Sequence, residues 1–492
     1  LSRIAGFAGD RRGNVAMIFA LALIPVALLG GGAVDLSQAM NARSRLAQAL
    51  DAAALAVGVS DTMSDAAALQ IANDFIGANY PDRELGTVSN VSISLDDAND
   101  SVIVRGQARV KTTILGLIGL EHLTVHWESE VQRARQRLEL VMVLDNTGSM
   151  RGSKIRSLRN SAELLTDMLF EVADTPGDVN IGLVPFAATV NVGTQYERAW
   201  WLDPDARSAQ HAEWYHGSQS VNHWDLFDQF RNERWDGCVE ARAMPMDIDD
   251  TPPDPGSPDS LFVPYFAPDE PDIGHYSNSY LNDGTRGGVR TRLQNLDKYD
   301  RAYARRGGPN RGCTTTPVTP LTSSRSTINR AIGDMDASGY TNIPNGIGWG
   351  VRVLSPAEPF TGGAEFDDRE VVKALVILTD GDNVLSGTNT DQMSDYEAYG
   401  FIENGRLGVR SSSHRVLARA LDERTVAACE YANSLGLRVY TITFQVSSSD
   451  TRDLMRDCAS NPSLYFDSPS AEALEDAFEM IAGDLTNLRL SR

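Results

Sequence analysis

The chain has 492 residues, of which 42% are hydrophobic, and its formal net charge is −22. The length exceeds that of one ordinary domain, and the apolar content is ample for a packed core. Because phosphate binding needs basic patches, the acidic balance argues against nucleic acid as a partner. No long run of a single charge sign stands out, which indicates that the acidity belongs to a solvated surface.

An uncharged apolar stretch, VAMIFALALIPVALLGGGAV, occupies Val15–Val34. It is long enough to cross a bilayer as a helix, and we expect Pro25 to kink that helix without breaking it. Arg11 and Arg12 directly precede the stretch, so the positive-inside rule places the N-terminus in the cytoplasm.

A cleaved signal peptide is the competing interpretation, because GGA at 31–33 has the small residues of a cleavage site. We favour an uncleaved anchor, since the sequence continues as an Ala-rich amphipathic helix leaving the membrane. The apolar residues that indicate this helix are Leu36, Met40, Leu46, Leu50 and Leu55.

The segment RRGNVAMIFALALIPVALLGGGAVDLSQAMNARSRLAQALDAAALA resembles the N-terminus of the TadE/TadG-like proteins of the bacterial tight-adherence (Tad, or Flp) pilus system. The resemblance implies a single-pass inner-membrane protein with a cytoplasmic N-terminus and most of the chain in the periplasm. Prepilin-type processing in that system usually requires Glu five residues after the Gly at the cleavage site. The fifth residue after Gly13 is Ile18, so we expect a retained anchor.

Residues 61–136 form the second of three expected domains, after an anchor region at 1–60. DAAALQIANDFIGANY predicts a helix over 64–80, and the alternating segments 91–95, 101–114 and 123–134 predict half-buried strands. A helix followed by a small antiparallel sheet resembles a pseudopilin head. A strand-rich spacer is the alternative, and the sequence favours neither.

Residues 137–492 alternate apolar strands with helices, which predicts an α/β, doubly wound sheet. Continuous apolar runs are typical of parallel strands that are buried on both faces. The predicted strands are 138–144, 179–187, 370–381 and 437–446, and the predicted helices are 153–173, 323–335, 343–355, 419–436 and 470–485.

The alternation stops between about 190 and 318, which we interpret as a large ordered insertion. This stretch includes an acidic, proline-broken segment at 247–272, and its aromatic content argues against full disorder. It holds five of the seven tryptophans: Trp200, Trp201, Trp214, Trp224 and Trp235.

Polar side chains follow two of the buried strands, where ligands bind in open α/β sheets. Asp145, Thr147 and Ser149 follow the strand at 138–144, and Thr379 and Asp380 end the strand at 370–381. With Thr341 in SGYTNIPNGIG, they resemble the metal-ion-dependent adhesion site (MIDAS) of von Willebrand factor A (vWA) domains.

That resemblance implies a bound Mg²⁺, or Mn²⁺ or Ca²⁺, since hard divalent cations take oxygen ligands. It implies direct coordination by Thr147, Ser149 and Thr341, with Asp145 and Asp380 acting mainly through water or hydrogen bonds. One position would be left for an acidic residue of a protein partner. Thr147 replaces the usual Ser of the pattern, so its methyl group must fit. The alternative is an Asx-type turn capping the next helix.

The four cysteines, Cys238, Cys313, Cys429 and Cys458, form no C-x-x-C motif. An even count in an exported domain suggests disulfides, with three connectivities open. We favour Cys238–Cys313, which closes the insertion, and Cys429–Cys458, which resembles a recurrent feature of Tad proteins with a vWA domain. Four buried unpaired thiols are the alternative.

No metalloprotease, phosphate-loop or dinucleotide motif is present, and we do not expect an enzyme or a small-molecule substrate. The resemblances together imply a membrane-anchored protein that assembles or anchors a Tad/Flp pilus with other Tad components. The alternatives are an adhesin or matrix receptor acting through the aromatic insertion, and a scaffold without metal.

Overall fold

The computed structural model describes residues 13–58, 60, 65–80, 86–96, 101–132, 136–173, 175–273, 276–284, 286–305 and 307–490. Arg11 and Arg12, which precede the predicted span, lie outside the described residues. The chain forms two compact units, one N-terminal to Gln136 and one spanning Gln136–Arg489.

The N-terminal unit is a long helix packed with a second helix and a three-stranded antiparallel sheet in the order β1-β2-β3. The apolar stretch lies within the first helix, which continues through Pro25 without interruption. The elements are α1 (Gly13–Gly58), α2 (Asp65–Asn79), β1 (Thr87–Asp96), β2 (Ser101–Lys111) and β3 (His122–Gln132).

The face of α1 that packs on this sheet differs from the one predicted. Leu46 and Leu50 are buried as expected, but Leu36, Met40 and Leu55 are exposed. Alanines complete the buried face, because their small side chains let the helix approach the sheet and α2; they are Ala49, Ala53 and Ala54. The expected amphipathic helix exists, with a buried stripe that is narrower and richer in alanine than the leucine spacing indicated.

The second unit is built on an eight-stranded sheet with the order β11-β10-β9-β4-β5-β6-β7, and β8 pairs with β5. The strands from β11 to β5 in this order are parallel, while β6, β7 and β8 pair antiparallel. The strands are β4 (Arg137–Asp145), β5 (Val179–Phe186), β6 (Val190–Asn191), β7 (Cys238–Val239), β8 (Thr319–Thr322), β9 (Val371–Thr379), β10 (Arg438–Phe444) and β11 (Tyr465–Ser468).

Helices cover both faces of this sheet, so each parallel strand contributes to two cores. On β4, Met142 and Leu144 point into one core, whereas Val141 and Val143 point into the other. The helices are α3 (Ser153–Glu171), α4 (His223–Gln229), α5 (Val289–Leu293), α6 (Arg325–Gly333), α7 (Ile343–Leu354), α8 (His414–Ser434), α9 (Ser449–Cys458) and α10 (Ala471–Leu490). Helices α3, α6 and α10 line the first core, and α7 and α8 the second.

Helix α7 lies unusually close to the sheet because it presents glycines to it. A Cβ atom on Gly350 would lie 2.5 Å from a methyl carbon of Val143, and one on Gly346 would lie 2.7 Å from the ring of Phe186. Real side chains essentially never approach so closely, so glycine is required for this packing. The close fit fixes the N-terminal end of α7, directly after Thr341.

The described residues between 187 and 318 form only short regular elements, and they pack around aromatic side chains. Trp201, Trp214, Trp224 and Trp235 are buried, and the rings of Trp224 and Trp235 meet edge to face at 5.1 Å. Trp200 is 47% exposed. Most of the tryptophans therefore build a core, and they do not form the surface through which an aromatic receptor would act.

The structure contains the two disulfides that the sequence favours. Cys238–Cys313 joins β7 to the segment before β8 across a sequence separation of 75, and Cys429–Cys458 joins α8 to the end of α9 across a separation of 29. No described cysteine is free.

Candidate functional site

The carboxylate of Asp145 ends β4 inside the protein, with no exposed surface. One of its oxygens accepts the backbone N–H of Thr147 at 2.8 Å, and the other accepts the hydroxyl of Thr379 at 2.9 Å. The first bond is the Asx-type turn that the sequence offered as an alternative. It shapes the loop but does not cap α3, whose N-cap is Gly152 and has no side-chain cap.

A chain of hydroxyl and carboxylate groups continues from this turn. Thr147 Oγ1 lies 2.9 Å from Ser149 Oγ, which donates to Asp380 Oδ1 at 2.5 Å. The other oxygen of Asp380 accepts Lys154 Nζ at 2.7 Å. The carboxylate of Asp380 is fully buried, so the ammonium group of Lys154, in the first turn of α3, supplies its counter-charge.

Thr341 reaches the same place from the loop before α7. The loop is held by backbone bonds, because Gly148 N donates to Gly339 O at 3.0 Å and Ser338 N donates to Asn146 O at 2.7 Å. Val384, which follows β9, donates its N–H to Thr341 O at 3.0 Å. Three separate loops are therefore tied into one edge of the sheet.

Burial raises the pKa of Asp145 to about 6, and the nearby carboxylate of Asp380 contributes to the rise, while hydrogen bonds from Thr147 and Thr379 oppose it. Two carboxylates that share a site disfavour each other's charged form. A cation placed between them would relieve this repulsion, so the electrostatics of this edge favour cation binding.

The site opens into a cavity of about 570 Å³. Thr147, Ser149 and Thr341 line its inner end, while Arg151 and Arg311 also line it. Tyr340, next to Thr341, also lines it, and further lining residues come from distant loops: Ser277, Asp395 and Glu397. The hydroxyl groups therefore face a space that is large enough to admit a side chain of another protein.

The oxygen atoms at this edge of the sheet are suitable ligands for a hard divalent cation. They are the hydroxyls of Thr147, Ser149 and Thr341 and the carboxylates of Asp145 and Asp380, all oxygen ligands of the kind that Mg²⁺ and Ca²⁺ take. Within the described ranges, no group of three or more His, Cys, Asp or Glu has metal-binding spacing. Two carboxylates supplemented by hydroxyls are what the MIDAS pattern requires, so the residues present suit the predicted ion.

The structure brings all five predicted ligands to one edge of the sheet, together with groups that the sequence did not point to, among them Lys154 and Arg311. Lys154 was missed because the sequence does not distinguish a lysine that pairs with a buried carboxylate from a lysine exposed to solvent. Arg311 was missed because it lies in the 187–318 segment, far from the strand ends in sequence.

Comparison with protein-family models matches residues 13–69 to the model described as putative Flp pilus-assembly TadE/G-like. The matched residues cover α1 and the start of α2. The resemblance that the sequence suggested for the N-terminal segment is thus confirmed, and the chain carries a TadE/G-like Flp pilus-assembly domain. Comparison with curated proteins gives no match.

Among solved structures, the chain is similar to the pilus adhesin SpaC of Lactobacillus rhamnosus GG, with 13% identity, a TM-score of 0.34, and coverage of 81% of this chain and 34% of SpaC. It is also similar to the vWF domain of the type V pili tip protein Mfa5 of Porphyromonas gingivalis, with 9% identity, a TM-score of 0.35, and coverage of 73% and 97%.

A third similar structure is a point mutant of the PilB minor pilin of Streptococcus sanguinis, with 13% identity, a TM-score of 0.33, and coverage of 82% and 81%. The chain thus spans about a third of the length of SpaC. All three TM-scores lie below 0.5.

Proposed function

We propose that the second unit is a vWA domain that binds a protein partner through a divalent cation at the strand ends. The observation that supports this most directly is the hydrogen-bonded chain from Thr147 through Ser149 to Asp380, which faces a large cavity. Hydroxyls held side by side next to two buried carboxylates supply oxygen ligands without bringing a large negative charge together.

Thr147, Ser149 and Thr341 would hold the ion, with Asp145 and Asp380 supporting them. The ion would supply a positive charge that attracts a carboxylate of the partner. Arg151 and Arg311, which also line the cavity, would favour the approach of the same acidic group. We propose a binding role without catalysis, in which these hydroxyls act as ligands of the cation.

We further propose that this domain serves assembly or anchoring of a Tad/Flp-type pilus. The TadE/G-like match at residues 13–69 supports the pilus association. The apolar helix supports a single-pass anchor, because it is long and apolar enough to cross a bilayer and none of the residues in its most apolar part is buried within the protein. The N-terminus would lie in the cytoplasm and the bulk of the chain in the periplasm.

The alternative is a surface or matrix receptor acting through residues 187–318. The burial of four tryptophans in that segment weakens it. Chromosomal replacement with Ser149→Ala tests whether the strand-end site serves assembly, with the exposed Ser412→Ala as the matched control. Loss of pili at normal protein levels supports assembly. Deletion of the gene tests the receptor, because intact pili with lost attachment in the deletion strain would support it. Normal pili and normal attachment in the Ser149→Ala strain would contradict a metal-dependent role.

A further inference from the structure

The turn between β2 and β3, residues 114–120, has the apolar sequence ILGLIGL. Its side chains do not fold back onto the sheet, since Leu117, Ile118 and Leu120 are 78%, 56% and 52% exposed. A cluster of this kind at the tip of a connecting segment is unusual, because such turns are normally polar when they face water. The turn therefore has the composition of a surface that contacts something apolar.

The turn is tightly built and presents these side chains in a fixed arrangement. Residues 115–118 form a single 3₁₀ turn, which ends at Gly119 with a φ of 94°, a conformation that glycine adopts without strain. Leu120 N donates to Leu115 O at 3.0 Å, and Thr112 N donates to Glu121 O at 3.0 Å, which closes the base of the turn.

The turn is fastened to helix α1 at the end of the apolar stretch. The buried carboxylate of Asp35 accepts three backbone N–H groups, from Thr113 at 2.9 Å and from Ile114 and Leu115 at 2.8 Å each. These three hydrogen bonds hold the turn against α1.

Glycines of α1 let the turn approach the helix itself. A Cβ atom on Gly31 would lie 2.5 Å from the side chain of Ile114, and one on Gly32 would lie 3.2 Å from the side chain of Leu115. The turn therefore packs against residues that belong to the apolar stretch Val15–Val34. With a rise of about 1.5 Å per residue, Gly31 lies roughly 4.5 Å inside the end of that stretch.

We propose that the 114–120 turn inserts into the bilayer beside α1 and forms a second membrane contact, an inference that rests on the proposed membrane anchoring by α1. The partner is the lipid of the leaflet at the C-terminal end of the apolar stretch. The turn is continuous with the exposed apolar surface of α1, because Ile114 and Leu115 pack on Gly31 and Gly32 and the exposed apolar tips directly follow them.

The residues beside the turn suit the headgroup region. Lys111 and His122 face each other where β2 ends and β3 begins, at the base of the turn, and both are exposed, as is Glu121 between Leu120 and His122. Basic side chains at this depth interact with anionic lipid headgroups. With a helix and a turn both in the membrane, the sheet of the N-terminal unit would be held at a fixed orientation to the bilayer.

The test places an environment-sensitive NBD label on the full chain, reconstituted in phosphatidylcholine–phosphatidylglycerol vesicles that contain spin-labelled lipids. A Leu117→Cys variant reports the turn, a Leu23→Cys variant reports the anchor, and a Ser94→Cys variant is the aqueous control. The native cysteines are paired in disulfides, so the added thiol is the reactive one. Ser94 pairs with Ile103, eight residues along β2 from Lys111, or about 26 Å.

We expect a blue-shifted label at Leu117 that is quenched several-fold more strongly by shallow spin labels than the label at Ser94, with deep quenching at Leu23. Deep quenching at Leu23 with a water-exposed Leu117 would overturn the inserted turn and leave the anchor intact. A Leu117 label that is blue-shifted but not quenched by lipid would show a protein partner, and would also overturn it. Absence of lipid quenching at Leu23 would instead refute the anchor on which the inference rests.

Discussion

Replacement of Gly350 by alanine tests whether close packing of α7 on the sheet positions the metal site. At a solvent-exposed position in a helix, this change stabilises the fold by about 0.5–1 kcal/mol, because alanine loses less backbone entropy on folding than glycine does. At Gly350 the new methyl group would lie 2.5 Å from a methyl carbon of Val143 and 2.8 Å from one of Leu375. Overpacking in a buried core costs roughly 1–3 kcal/mol, so the steric cost exceeds the stabilisation that alanine gives in a helix.

We therefore expect Gly350→Ala to destabilise the second unit by about 0.5–2 kcal/mol. The matched control is Gly483→Ala, in the interior of α10, where a Cβ atom meets nothing within 4 Å. That variant should be more stable than the parent by about 0.5–1 kcal/mol. The two variants make the same chemical change, one at a tightly packed position and one where the added methyl group has free space.

Thermal melting of the full chain in detergent, followed by intrinsic tryptophan fluorescence, measures both variants. Six of the seven tryptophans belong to the second unit, so the signal reports that unit. A melting midpoint for Gly350→Ala that equals or exceeds that of Gly483→Ala would refute the proposed contact between α7 and the sheet. A lower midpoint accompanied by weaker Mg²⁺ stabilisation would show that the same contact also positions Thr341.

Three further outcomes are expected. Alanine replacement of the Cys238–Cys313 pair should destabilise the fold more than replacement of Cys429–Cys458, because loops of 75 and 29 residues correspond to about 4.5 and 3.6 kcal/mol in the chain-entropy estimate; equal melting midpoints would contradict this order. Burial, with a contribution from Asp395, raises the pKa of Glu270 from 4.5 to about 7. The native state therefore keeps a proton that the unfolded chain releases, and stability falls as pH rises from 4.5 to 7, by about 3 kcal/mol in full. Glu270→Gln should flatten this decline in melting curves taken across pH, and an unchanged profile would count against it. Lys154→Met removes the ammonium that pairs with Asp380 and should tighten Mg²⁺ binding roughly ten-fold in calorimetry, since a competing positive charge is gone; unchanged or weaker binding would argue against competition.

The sequence predicted the elements whose pattern is set by burial. Strand β4 and strand β9 are continuous apolar runs, and both occur within two residues of the predicted ends. Short elements were missed where pairing or tertiary contact defines them, as in β8, α9 and β11. Helix α9 buries only Thr451, Met455 and Cys458 in ten mostly polar residues, so its sequence resembles a polar loop despite the helical spacing of these three.

The candidate site was predictable in part, because strand ends and loop polarity are visible in the sequence. Asp145, Ser149 and Asp380 lie at positions where the parallel topology forces them together. The cavity walls were not predictable, since Arg311 and Glu397 come from segments without regular structure. The strand predicted at 101–114 included only Ile114 of the 114–120 turn, whereas β2 ends at Lys111, and residues 115–120 carried no prediction.

Metal-dependent melting of the full chain tests the central proposal most directly. Each variant is compared with itself in EDTA and in Mg²⁺, Mn²⁺ or Ca²⁺, for the parent, Asp145→Asn, Asp380→Asn and the exposed control Asp453→Asn. A cation at about 100 times its dissociation constant should stabilise the parent and the control by roughly 2.7 kcal/mol. A shift that Asp145→Asn and Asp380→Asn both abolish is the result we predict. No shift in the parent with any of the three cations, or an equal shift in all variants, would contradict a metal site at these strand ends.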